Sequence, residues 1–178
     1  MPTYPTVHDS TGRRTFTCQP AAVLAFIIAP DERILMLSHP ARSGWEVVNG
    51  ALDAAETVLD GVLRETREEA GDQVRVRPLG ALHTYTFRYD DAVQHMISIA
   101  YLLAYEGGDV VPGDDMRGSD VRWVSADEIE RGAVSTVVPT GQPWLFRRAV
   151  DLYRLLRDQP PVTLQPGFDD STRNKYNR

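Results

Sequence analysis

The chain has 178 residues, of which 42% are hydrophobic and 25% charged, as expected for one globular domain with a substantial core. A formal net charge of −6 argues against binding to nucleic acid or anionic membranes through bulk charge. The single cysteine, Cys18, excludes an intramolecular disulfide, and the longest apolar run, residues 21–29, is too short to cross a membrane. We therefore expect a soluble, cytoplasmic protein, and the sequence leaves a homodimer open.

The alternation of apolar and polar segments predicts strands that flank one central helix. β-Branched and apolar runs predict strands at residues 22–28, 33–38, 74–76, 81–89, 96–105 and 121–124. Helical spacing covers Ala54 to Gly71, a capping box at Ser125 to Glu128 predicts a short helix, and a last helix is predicted over residues 143–157. This order predicts an α+β fold, a sandwich of mixed sheet and helices.

Both ends of the chain lack the periodicity of the middle. Residues 1–12 carry two prolines and a glycine, and residues 159–178 carry three prolines and a polar terminus. We expect an N-terminal arm over residues 1–12, a folded domain over residues 13–158 and a C-terminal tail over residues 159–178.

The chemically informative stretch runs from Gly50 to Asp72. At about 100° per residue, Glu65, Glu68 and Glu69 fall within a helical sector of about 100° that borders the buried stripe. Like charges crowded there repel unless a cation neutralises them, and all-oxygen ligands favour hard ions such as Mg²⁺ or Mn²⁺. The alternative is a solvated helix face with ordinary ion pairs, such as Arg64 with Glu68.

The same stretch resembles the Nudix box, G-x5-E-x7-R-E-U-x-E-E-x-G-U, where U is aliphatic. All of its defined non-aliphatic positions are present: Gly50, Glu56, Arg64, Glu65, Glu68, Glu69 and Gly71. Thr66 and Asp72 replace aliphatic residues, and WEVVNG at residues 45–50 lacks the proline and second glycine of many relatives. We expect these departures to alter the substrate side of the site more than metal binding.

The resemblance implies a Nudix-type α/β/α sandwich whose site lies on a loop–helix–loop. It implies Mg²⁺- or Mn²⁺-dependent cleavage of the diphosphate in a nucleoside diphosphate linked to a group X. Such substrates are small nucleotides: a nucleotide sugar such as ADP-ribose, a dinucleoside polyphosphate or an NTP. A rival function on the same fold is a sensor that binds a nucleotide without cleaving it, and the intact glutamate set counts against that reading.

The resemblance also assigns roles within the box. It implies metal ligation by the Gly50 carbonyl and by Glu68 and Glu69. Glu65 is implied as a further ligand or as the group that activates water. Arg64 orients the carboxylates, and Glu56 contacts the metal cluster or braces that arginine.

Residues outside the box are candidates for the remaining roles. The general base is Glu65 or a carboxylate of the acidic loop at residues 106–120, which holds Asp109, Asp114, Asp115 and Asp120. Arg42 and Arg88 are candidates for phosphate contacts, and Tyr89, with Trp45 and Tyr85 as alternatives, is a candidate for stacking on a base. Turn chemistry predicts a sharp turn at Asn49-Gly50 and a left-handed helix end at Gly71.

Overall fold

A computed structural model describes residues 4–41, 43–139 and 141–159. Within these ranges the strands are β1 (Thr6–His8), β2 (Thr15–Thr17), β3 (Ala21–Ile28), β4 (Ile34–Ser38), β5 (Trp45–Glu46), β6 (Val48–Ala51), β7 (Arg75–Phe87), β8 (Met96–Gly107), β9 (Val121–Val124) and β10 (Thr136–Val138). The α-helices are α1 (Val58–Glu65), α2 (Ala126–Glu130) and α3 (Pro143–Leu156). A π-helical turn, Thr66–Ala70, continues α1, and a 3₁₀ turn, Asp114–Met116, lies in the acidic loop.

The main sheet is mixed, as the sequence predicts, and it is built around β3. Its strand order is β10-β5-β4-β3-β8-β7, with β6 also paired to β3 and β9 to β4. Strand β3 runs parallel to β8 and antiparallel to β6. Its residues 23–28 are buried because the strand lies in the middle of the sheet with side chains packed on both faces.

Two apolar cores cover the two faces of this sheet. On one face Phe26 packs against Phe146 of α3, with ring centroids 5.2 Å apart. On the other face Val23 and Leu103 pack in the same cluster as Val62 of α1. Helix α1 is thereby fixed to the sheet by its apolar side, so its charged side is left facing the adjacent strand ends.

Most sequence predictions of strands and helices are confirmed, and the differences are local. The predicted strands at 74–76 and 81–89 are one strand, β7, whose register against β8 shifts around Pro78 and Gly80. The capping box is present: the Glu128 amide donates to Ser125 Oγ, and the Ser125 amide donates to Glu128 Oε2. The strands missed by sequence, β1, β2, β5, β6 and β10, each have four residues or fewer, too short to show a period.

The chain termini differ in what the structure describes. Strands β1 and β2 form a separate two-stranded hairpin, and the predicted boundary between residues 12 and 13 falls within its turn. The predicted C-terminal tail lies outside the described residues apart from Gln159. No helix in the described ranges is long and apolar enough to span a membrane.

Candidate active site

The box carboxylates lie on α1 and the π-helical turn that follows it. The segment with helical spacing, residues 54–71, is helical only from Val58, since Thr57 caps α1; α-helical geometry stops at Glu65, and the π-helical turn ends at Ala70 with Gly71 as its cap. Thr66 is buried and its hydroxyl donates to the Val62 carbonyl at 2.7 Å. That bond satisfies the polar group of a residue that stands at an aliphatic position of the box. π-Turns widen a helix locally, so the carboxylates after residue 65 are not placed by regular α-helical geometry.

Arg64 is bonded to three of the box glutamates. Its Nη1 donates to Glu65 Oε1 at 2.7 Å and to Glu68 Oε2 at 2.8 Å. Its Nε and Nη2 each donate to a Glu56 oxygen at 3.0 Å, and Nη2 also donates to the Ala51 carbonyl at 2.9 Å. The hydrogen bonds from Arg64 hold the pKa of Glu56 below its ordinary value. Glu56 therefore braces the arginine, which in turn fixes the other two side chains.

Gly50 lies in a strand, which corrects the predicted turn at Asn49-Gly50. Asn49 and Gly50 pair with Leu24 and Val23 of the central strand. A Cβ on Gly50 would lie 2.0 Å from Glu65 Oε1, inside the carboxylate itself. Glycine is required here because the Glu65 side chain approaches the strand too closely for a methyl group. Gly71 has positive φ as predicted, but φ 108° and ψ 152° are not left-handed helical values.

Burial and mutual repulsion raise the proton affinity of the site. Glu69 is 5% exposed, and burial raises its pKa to about 9, although its Oε2 accepts a hydrogen bond from the Asn49 amide at 2.8 Å. The nearby charges of Asp115, Glu65 and Glu46 raise that pKa further. Burial also raises the pKa of Glu65, against the opposing effect of Arg64. The fully buried Glu46, adjacent on β5, is a site residue that sequence reasoning missed.

The acidic loop is held against the carboxylate helix through backbone contacts. The Val111 amide donates to the Ala70 carbonyl at 2.9 Å, and the Gly113 amide donates to the Glu69 carbonyl at 3.3 Å. A Cβ on Gly113 would lie 2.7 Å from the Glu68 carbonyl oxygen, so the two backbones touch. This packing brings Asp115 towards Glu65 and Glu69.

An open cavity of about 860 Å³ connects the carboxylates to an aromatic surface. Its polar end is bordered by Asn49, Gly50, Glu69 and Asp115. Its apolar end is bordered by side chains from the ends of β7 and β8 and from the segment before α3, including Tyr85, Phe87, Val93, Met96 and Pro139. The arrangement suits an elongated ligand with a polar group at one end and a flat apolar group at the other.

The candidate substrate residues fall in different places. Arg88 and Tyr89 border the cavity, where Arg88 pairs with Asp91 and Tyr89 is 68% exposed. Arg42 lies outside the described residues. Trp45 does not border the cavity within the described residues and instead stacks with the Arg122 guanidinium, 6.0 Å from its ring centre. Of the four candidate aspartates of the acidic loop, all within the described residues, Asp115 alone borders the cavity.

Comparison with known proteins places this site in a family. The NUDIX domain model matches residues 19–165, which contain every defined position of the box. The chain belongs to the Nudix family. A crystal structure of a NUDIX family hydrolase from Clostridium perfringens has the same fold, with a TM-score of 0.61 at 17% identity, over 76% of this chain and 97% of that one. The expected Nudix-type fold is thus confirmed.

Two curated Nudix relatives are similar in sequence over part of their length. The ADP-ribose pyrophosphatase of Methanocaldococcus jannaschii is 32% identical over 104 residues, 57% of this chain and 60% of that protein. The NAD-capped RNA hydrolase NudC of Vibrio parahaemolyticus is 31% identical over 134 residues, 72% of this chain and 44% of that protein. The chain therefore spans less than two thirds of the length of either relative.

The donor set of this Nudix site fits a hard divalent cation. Glu65 and Glu69 are buried carboxylates, Glu69 borders the cavity, and oxygen-only donors suit Mg²⁺ or Mn²⁺. In the described ranges no three acidic, histidine or cysteine side chains already converge in a metal-binding geometry. The Arg64 guanidinium instead forms ion pairs with the carboxylates of Glu65 and Glu68. A metal ion therefore has to compete with Arg64 for these two carboxylates.

The stability of the metal-free protein is expected to fall as the pH rises. Glu69 keeps its proton when folded up to about pH 9, whereas an unfolded glutamate loses it near its ordinary value of 4.5. The folded state therefore binds more protons between these values, and its stabilisation, present at low pH, is lost as the pH rises through the folded pKa. Melting temperatures in EDTA from about pH 6 to about pH 9 should decline. The same decline in Glu69→Gln would contradict this assignment.

Proposed function

We propose that this Nudix protein hydrolyses the diphosphate of a nucleoside diphosphate linked to a second group, releasing a nucleoside monophosphate and phosphorylated X. The observation that carries the proposal is the continuous cavity that joins the box carboxylate Glu69 to an aromatic surface. A diphosphate at the carboxylate end leaves room for a base or other flat ring at the aromatic end. ADP-ribose and NAD⁺ are the first compounds to test, because two relatives are named for ADP-ribose and NAD-capped RNA.

The proposed metal site uses the Gly50 carbonyl with Glu68, Glu69 and Glu65. When bound, Mg²⁺ or Mn²⁺ neutralises the diphosphate and polarises the attacked phosphorus. The residues of the chain orient the donors: Arg64 holds Glu65 and Glu68, and the Asn49 amide holds Glu69. We propose that Arg88 and Tyr89 contact the substrate at the rim of the cavity, where both side chains are open to solvent.

The attacking water needs a carboxylate to take its proton, and two residues are suitably placed. Glu65 is held by Arg64 beside Gly50, and Asp115 borders the same end of the cavity. In the hydrolysis, the oxygen of water bonds to phosphorus as the bridging P–O bond breaks, and the proton passes to one of these groups. We propose Asp115 for this role, because the Arg64 guanidinium already bonds to Glu65 Oε1, whereas the Asp115 side chain borders the cavity.

A hydrolysis assay tests the proposal directly. Purified protein with MgCl₂ should convert ADP-ribose or NAD⁺ to AMP and a second phosphorylated product, and EDTA should stop the reaction. Asp115→Asn should lower kcat by about 100-fold, as for the loss of a general base, with KM little changed. Asp114→Asn is the matched control, since this exposed neighbour does not border the cavity in the described part of the chain. Stoichiometric nucleotide binding without turnover would instead support the sensor.

A further inference from the structure

Short side chains of two adjacent strands, β3 and β8, form part of the floor of the aromatic end. Ser98 of β8 lies opposite Tyr85 of β7 and beside Ala22 of β3 in the sheet register. Directly opposed residues on neighbouring strands point to the same face, so these three side chains lie on the face that borders the cavity. Because Ala22 and Ser98 are small, the sheet surface is low at this point and the cavity extends over it.

Ser98 carries a hydroxyl that packing does not need. The residue is fully buried, and its Oγ has no hydrogen-bond partner among the described residues. A buried hydroxyl without a partner destabilises a fold. The next residue on the same face of β8 is an alanine, Ala100, which fills its position without any polar atom. The serine therefore lowers the stability of the ligand-free protein relative to an alanine at the same position.

The walls around Ser98 are suited to a flat ring. The rings of Tyr85 and Phe87 lie 6.0 Å apart at an angle of 46°, and both are partly buried at the cavity. Met96 pairs with Phe87 across the sheet and borders the same space. The side chains of Tyr85, Phe87 and Met96 carry no charge, so the polar edge of a ring bound between them is satisfied by hydroxyls, amides, backbone groups or the Arg88 guanidinium at the border of the same cavity.

We propose that Ser98 is a specificity-determining residue whose hydroxyl hydrogen-bonds to the polar edge of a heterocyclic ring, with the ring face packed on Tyr85 and Phe87. A serine hydroxyl donates and accepts, so it matches the nitrogen or oxygen atoms at the edge of a nucleobase. Ser98 is buried at the cavity wall, so binding requires a neighbouring side chain to move; Met96, two residues earlier on the same face of β8, has an unbranched side chain that adapts readily. The inference rests on the proposed function only for the class of ligand.

Nucleotide binding tests this role without any catalytic turnover. The probes are AMP, GMP, CMP and UMP, which contain a base but no diphosphate to cleave. Calorimetric titration in MgCl₂ first identifies the nucleotide that the wild type binds most tightly. For that nucleotide, the dissociation constant of Ser98→Ala should be at least about tenfold higher than that of the wild type. Ser98→Cys, which retains the size of the side chain but bonds weakly, should also bind more weakly.

Ser119→Ala is the matched control. Ser119 Oγ is the other buried hydroxyl without a partner among the described residues, and Ser119 does not border the cavity within those residues. Both alanine variants should melt at or above the wild-type temperature without nucleotide, because each removes an unpaired buried group. Only Ser98→Ala should lose affinity.

The outcomes separate this inference from the proposed function. Three results would overturn the role of Ser98. They are wild-type affinity in Ser98→Ala, a lower melting temperature in that variant, and no binding of any of the four nucleotides to the wild type. Nucleotide binding that depends on Ser98, combined with no hydrolysis of ADP-ribose or NAD⁺, would support this inference and reject the proposed function. Hydrolysis with no dependence on Ser98 would reject this inference alone.

Discussion

Glu69→Gln is expected to lower Mg²⁺-dependent kcat by at least about 100-fold while the protein remains folded. The glutamine has the shape of the glutamate and still accepts the hydrogen bond from the Asn49 amide, which lies 2.8 Å from Glu69 Oε2. It lacks the negative charge that a divalent cation needs from a ligand. Steady-state kinetics at saturating substrate, with circular dichroism to check folding, measure this effect.

The same substitution should stabilise the metal-free protein. Burial and the nearby carboxylates destabilise the charged form of Glu69 and so raise its pKa to about 9. A neutral amide has no charged form and avoids this free-energy cost. The gain should be on the order of 1 kcal/mol, which corresponds to a melting temperature about 2–4 °C higher in EDTA. Glu130→Gln, on the distant helix α2, is the control: it should leave kcat unchanged, and because it removes an ion pair with Arg147 it should not raise the melting temperature. A Glu69→Gln enzyme with wild-type kcat would remove Glu69 from the metal site.

Gly50→Ala is expected to abolish activity by displacing Glu65 rather than by unfolding the strand. The new methyl group would overlap the Glu65 carboxylate, whose Cδ lies 2.1 Å from the ideal Cβ position. The overlapping atoms belong to the far end of a flexible side chain, so Glu65 moves and the sheet persists. We expect kcat to fall by about 100-fold or more and the free energy of unfolding to change by about 1 kcal/mol or less.

A double-mutant cycle distinguishes this cause from a general disturbance of β6. If the clash is with Glu65, Gly50→Ala should cost less stability in a Glu65→Ala background than in the wild type, because the space is then free. Additive effects of the two substitutions on the free energy of unfolding would show that the methyl group acts on something else. Chemical denaturation of the four proteins gives the required values.

The sequence predicts the box and the family because that information is local. The spacing of Arg64, Glu65, Glu68 and Glu69 falls within a turn and a half of helix, and their types alone indicate an oxygen-ligated cation. The predicted turn at Asn49-Gly50 failed for the opposite reason. Its glycine serves a contact with Glu65, fifteen positions later, which no local turn rule contains.

Other site residues depend on tertiary packing that leaves no sequence signal. The acidic loop contains four candidate aspartates, and the contact of Val111 and Gly113 with the end of the carboxylate helix decides that Asp115 borders the cavity. Glu46 lies in a two-residue strand and Ser98 in a mainly apolar one, where a polar residue is equally typical of a solvent-facing position. Glu46 and Ser98 are buried because of the strands that pack beside β5 and β8, and the sequence does not indicate which strands these are.

The pairing of β6 with β3 makes the carboxylate end of the site part of the innermost layer of the molecule. Gly50 and Asn49 are bonded to a strand that is itself bonded to β8 along its whole length. Their amides should exchange with solvent deuterium only through near-global opening, whereas those of the exposed 88–95 hairpin should exchange through local fluctuations. The region proposed to hold the diphosphate is therefore expected to be rigid, and differences in substrate shape would be accommodated by the 88–95 hairpin.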